Sequence, residues 1–62
     1  MVRYQIRHTD NPNHGFAARN VDQVRGMLAE HGVSHDADTS PLDHLGVLDA
    51  ATVEGWRVQR IA

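Results

Sequence analysis

The chain opens and closes on the same pattern: Val2-Arg3-Tyr4-Gln5-Ile6-Arg7-His8 at one end and Trp56-Arg57-Val58-Gln59-Arg60-Ile61 at the other. In each segment apolar and polar side chains alternate with the period of a β-strand, so each can bury one face and wet the other. Two such strands at opposite ends of a short chain predict an α+β domain whose sheet is closed by pairing of its termini. The expected architecture is one domain, residues 1–62, with a single-layer sheet of two or three strands and helices packed on one face.

Size makes that core small. A chain of 62 residues buries only about 60 % of the surface its unfolded form exposes. It has no cysteine, so neither a disulfide framework nor a thiolate zinc site adds stability. Self-association is the remaining way to extend the core, and a homodimer is the expected form. No apolar run reaches the roughly 18 residues of a membrane span, and the first residues lack the hydrophobic stretch of an export signal. A cytoplasmic setting with no membrane partner is the expectation. All six cationic side chains are arginine. With alanine, valine, glycine and aspartate abundant, the composition resembles that of GC-rich genomes, such as actinobacterial chromosomes and their phages.

Between the ends the chain reads as turn, helix and acid. Thr9-Asp10-Asn11-Pro12-Asn13-His14-Gly15 consists almost wholly of turn formers, able to close a hairpin onto a short strand at 15–19. The main helix is predicted over 21–31, with Asn20 as N-cap, Gln23 completing a capping box and Gly32 as the left-handed stop. Val21, Val24, Leu28 and His31 form its apolar stripe, widened by Met27. Gly26 inside it suggests a close helix–sheet contact. An acidic loop leads to a short second helix at about 41–46, with Ser40 as N-cap and Pro41 in its first turn. Residues 49–55 fit either a helical turn capped by Asp49 or a strand pairing with the last one; the helical turn is preferred.

These assignments predict a core of Tyr4, Ile6, Phe16, Val24, Leu28, Leu42, Leu45, Val53, Trp56 and Val58. Strict alternation places Ile61 on the face opposite Trp56 and Val58, unless a bulge near Gln59–Arg60 turns it inward. On the outer face, Ile61 and Val2 would be available to another chain. Charge divides the same way. Residues 1–8 and 55–62 hold four arginines and no acid, whereas residues 9–54 hold two arginines and all eight acids.

The chemical motifs are sparse. Five histidines raise the question of a metal, with His31, His35, Asp36 and Asp38 in one group and His8, Asp10 and His14 in another. Gly32 separates His31 from His35, and no His-Glu-x-x-His is present, so no metal site is expected. Ser34-His35-Asp36 has the residue types of a triad, but triads need side chains converging from different elements. No phosphate loop, dinucleotide fingerprint or nucleophile elbow occurs, so neither an enzyme nor a cofactor is expected. In length and βαβ-like plan the chain resembles the small tautomerases, but Val2 stands where that family carries its catalytic proline.

The expected working surface is therefore the wet face of the terminal strands: Arg3, Gln5, Arg7, Arg57 and Gln59. Arginine is enriched at protein interfaces, which favours a non-catalytic protein-interaction module such as a small regulator, inhibitor or assembly factor. Nucleic acid is the alternative occupant, because arginine and glutamine reach phosphates and base edges. Against that stand the net charge of −2 and the lack of exposed aromatics for base stacking.

Overall fold

The computed structural model describes residues 2–62. The terminal segments become β1 (Tyr4–His8) and β4 (Trp56–Arg60), and they pair antiparallel as expected, with Ile6 opposite Val58 and Arg7 opposite Arg57. They form the centre of a four-stranded antiparallel sheet of order β2-β1-β4-β3, where β2 is Asn11–Ala18 and β3 is Ala50–Val53. The class is α+β. The sheet has four strands where two or three were expected.

Both corrections to the strand count have local causes. The turn formers after His8 do not make one long loop. Thr9 and Asp10 alone connect β1 to β2, and His8 stands opposite Asn11 while Arg7 stands opposite Gly15. The remaining turn-forming residues are taken up as an irregularity in that ladder, the place where a sheet accommodates extra residues. At the other edge, 49–55 is not a helical turn. Glu54 and Gly55 have φ of 46° and 87° between the paired Val53 and Trp56, the two-residue connection with both central residues at positive φ that matches strand twist.

The helix α1 (Val21–Glu30) starts and stops on its expected signals. Asn20 Oδ1 accepts from Gln23 N–H at 2.8 Å, and Gln23 Oε1 accepts from Arg19 N–H, one residue upstream of the cap. At the C-terminus, Gly32 takes φ 89° and Val33 N–H donates to Leu28 O. This closing turn buries Val33, so the acidic loop expected after the helix begins with a core residue. His31 is the C-cap and not a helical residue. Gly26 faces solvent, and a Cβ there would meet nothing within 4 Å, so the inferred helix–sheet contact is absent. Gly26→Ala should therefore stabilise the protein by about 0.5–1 kcal/mol, measured as a higher urea midpoint with unchanged m-value.

The second helix is shorter and tighter than expected, a single 3-10 turn over Ser40–His44. Ser40 does not cap it. Instead Asp38 Oδ1 accepts from both Ser40 Oγ–H and Ser40 N–H, bonds that hold the Asp38 carboxyl below its ordinary value. Arg25 fastens this turn to α1, donating through Nη2 to Asp43 Oδ2 at 2.8 Å and through Nε to Thr39 Oγ1 at 3.0 Å.

Helix and 3-10 turn cover one sheet face, and the core lies between. Ile6, Val24, Leu28, Leu42 and Val58 are almost fully buried, joined by Tyr4, Ala18, Val33 and Val53. Phe16, Leu45 and Trp56 pack against this cluster but are only partly buried. Trp56 is thus a rim residue, and Trp56→Ala is expected to cost less than the roughly 3–5 kcal/mol of a fully buried aromatic.

Candidate functional site

The helix covers the face carrying Tyr4, Ile6 and Val58, so the alternate residues of β1 and β4 stand on the uncovered face. The register sets them in rows across the sheet. One row runs Gly15, Arg7, Arg57, Thr52 and the next runs Ala17, Gln5, Gln59, Ala50. Beyond the strands Arg3 faces two residues: its C=O accepts from Ile61 N–H at 2.9 Å and Ala62 N–H at 3.4 Å, and its N–H donates to Ala62 O at 3.2 Å. Arg3 and Ile61 line one shallow hollow with Gln5 and Arg7. No register shift interrupts the pairing at Gln59–Arg60, and Ile61 remains 38 % exposed.

All five residues proposed from sequence share this surface. Arg3, Arg7 and Arg57 are exposed, and Gln5 and Gln59 are half-buried between them. The outer rows end in the small residues Gly15, Ala17, Ala50 and Thr52, and the Arg7 side chain lies over Gly15, where a Cβ would stand 3.5 Å from Arg7 Nε. With its amide oxygen turned toward the neighbouring guanidinium, Gln5 accepts from Arg7 Nη2 at 2.7 Å and Nε at 3.3 Å. Gln59 Nε2 donates to Leu48 O at 3.2 Å.

The electrostatics of this face are unbalanced. Arg7 and Arg57 are direct cross-strand neighbours, at a typical Cβ separation of about 5 Å, where like charges destabilise a sheet. None of Arg3, Arg7 and Arg57 forms an ion pair among the described residues. No strand contains an acid; the eight acids lie on the helix, the 3-10 turn and the connections. The fourth terminal arginine has a different role. Arg60 points the other way and donates through Nη1 to Leu45 O at 3.1 Å, holding the segment after the 3-10 turn against β4.

The histidines regroup in a way the linear sequence concealed. His31 and His35 do not form a pair. Instead His8 and His31 flank Trp56, with ring centroids 4.8 and 5.2 Å away in edge-to-face arrangements, and Phe16 lies 4.6 Å from His31. With Asn11 and His14, these rings line an open hollow at the end of the sheet. Of these contacts only that of His8 with Trp56 follows from the pairing of the terminal strands. One nitrogen of each flanking imidazole is already engaged: His31 Nδ1–H donates to Met27 O at 2.8 Å, and His8 Nδ1 accepts from Asp10 N–H at 3.1 Å. Among the described residues no three histidine or acidic side chains converge as a ligand set. Ser34-His35-Asp36 forms a local turn in which Asp36 N–H donates to Ser34 Oγ at 3.1 Å.

Among the described residues no helix is long and apolar enough to cross a membrane. No protein-family model, curated protein or solved structure matches this chain.

Proposed function

We propose that the chain is a non-catalytic interaction module whose outer sheet face binds an acidic surface of a protein partner. The observation that carries this reading is the Arg7–Arg57 pair, two arginines at facing cross-strand positions, neither in an ion pair among the described residues and on strands that hold no acid. A folded protein that retains a destabilising like-charge pair has a use for it elsewhere. A carboxylate brought between the two guanidiniums would relieve the repulsion and accept hydrogen bonds from both, with Gln5 and Gln59 supplying further polar contacts. Such a partner suits a small regulator, inhibitor or assembly factor, and a cytoplasmic setting in a GC-rich bacterium or phage accords with the cysteine-free, lysine-free composition.

Nucleic acid is the competing occupant. The outer rows hold no aromatic side chain on which a base could stack. The two occupants differ in salt dependence. Neutralising three or four phosphates would weaken binding about 40- to 150-fold between 50 and 200 mM salt. Electrophoretic shift of random duplex and single-stranded oligonucleotides at low salt should show no complex, while the protein captures a protein partner from its native host. Oligonucleotide binding with that salt dependence, abolished by Arg57→Glu, would replace the protein partner with nucleic acid.

A further inference from the structure

We propose that two copies of this chain join through the free edge of β3, in an antiparallel pair that makes one continuous eight-stranded sheet. The inference rests on the sheet's edges and stands apart from the reading of its outer face.

The two edges are unlike. β2 contains Pro12, which has no N–H to offer, and its ladder is irregular; both devices discourage edge-to-edge pairing. β3 has neither. Its residues Ala50-Ala51-Thr52-Val53 carry no charge and no proline, and its principal packing is along β4 alone. The connection at Glu54–Gly55 fixes which groups are free. In a two-residue hairpin the flanking pair, here Val53 and Trp56, exchanges both ladder bonds, and bonded pairs alternate along the strands. Arg60 N–H donating to Asp49 O at 3.0 Å continues the same alternation. Hence Ala51 and Val53 bond toward β4, as does Asp49 through its C=O alone, while the N–H and C=O groups of Ala50 and Thr52 point away from the sheet.

A strand whose outward groups lie two residues apart can pair with itself about a two-fold axis, Ala50 of one copy opposite Thr52 of the other. The uncharged edge brings no repulsion to that pairing. The side chains that meet are small, and the axis lies perpendicular to the sheet, so both outer faces end on the same side.

A second observation points to the same edge. Val47 and Leu48, just ahead of Asp49 and β3, are the most exposed large apolar residues among those described, at 57 % and 68 %. They sit in the Gly46–Asp49 turn, closed by Asp49 N–H donating to Gly46 O, where Leu48 takes φ 72°. Positive φ is strained for leucine and ordinary for glycine, yet the turn keeps a leucine. Leu48 N–H is turned back toward β4, donating to Arg60 O at 2.6 Å, and Glu54 lies in the hairpin turn, so the self-pair ends at Ala50 and Thr52, and Val47 and Leu48 would lie at its margin beside the neighbour's hairpin. A four-residue edge alone is a weak contact; Leu48 and Val47 supply its apolar part.

Sedimentation velocity from about 1 μM to about 1 mM, spanning weak to moderate affinities, is expected to show the wild-type mass rising to twice the monomer. Thr52→Pro removes an outward N–H without touching a β4 bond, so it should remain folded and monomeric throughout. Leu48→Gly relieves the strained turn, so it should melt no lower than wild type while the dimer weakens at least tenfold. Exchange of the Ala50 and Thr52 amides should also slow as wild-type concentration rises, a readout that needs no variant. Wild-type protein monomeric across the range, Thr52→Pro folded and dimerising like wild type, or Ala50 and Thr52 exchange independent of concentration would each overturn the proposal.

Discussion

Ile6→Ala is expected to remove most of the stability of this domain. Ile6 is 1 % exposed at the middle of β1, with Phe16 opposite it on β2 and Val58 opposite it on β4. The substitution deletes buried methylenes where two ladders and the helix converge, so the cavity is bounded on all sides and collapses poorly. Such changes cost about 2–5 kcal/mol. At typical stabilities per residue the whole protein has only roughly 3–9 kcal/mol. A midpoint lowered by roughly 10–30 °C, or loss of a cooperative transition, is the expected result of a circular-dichroism melt. Ile61→Ala serves as the comparison. It removes an equivalent side chain from the exposed face and should change stability by about 0.5 kcal/mol or less. Similar midpoints for the two variants would mean that the assigned faces of the terminal strands are wrong.

That contrast between Ile6 and Ile61 was legible in the sequence, because strand alternation depends only on residue order. The same alternation puts Arg3, Gln5, Arg7, Arg57 and Gln59 on one face of the paired terminal strands. The caps of α1 were legible too, since Asn20, Gln23 and Gly32 act through bonds within a few residues of themselves. What escaped depended on contacts between distant segments or on competition between local motifs. Asp49 can cap a helix in isolation. Here its side chain accepts from Gly46 N–H and its carbonyl from Arg60 N–H, so it leads into β3. The Glu54–Gly55 turn was the missed signal, a two-residue spacer with glycine second between a β-branched and an aromatic residue. The ring cluster around Trp56 could not be read linearly, because His8, Phe16 and His31 come from three different elements.

The arginine face leads to the second large effect, and here stability and function should move in opposite directions. Arg57 stands opposite Arg7 with no acid to offset either. Arg57→Glu converts a like-charge pair into an opposite-charge pair at the same positions. For an exposed cross-strand pair this change is worth about 0.5–1 kcal/mol in favour of the fold. The same substitution puts a carboxylate at the centre of a surface proposed to receive carboxylates. Binding of an acidic partner should fall by tenfold or more, with the loss greatest at low salt, where repulsion is least screened. A residue that serves only the fold would show both quantities falling together.

The central claim is that the outer face of the sheet is maintained for a partner at a cost to the fold. Its most direct test is Arg57→Glu measured twice on the same preparation, by thermal melt and by partner capture. The account predicts a midpoint raised by roughly 2–8 °C and capture abolished. A lowered midpoint with capture unchanged would contradict it.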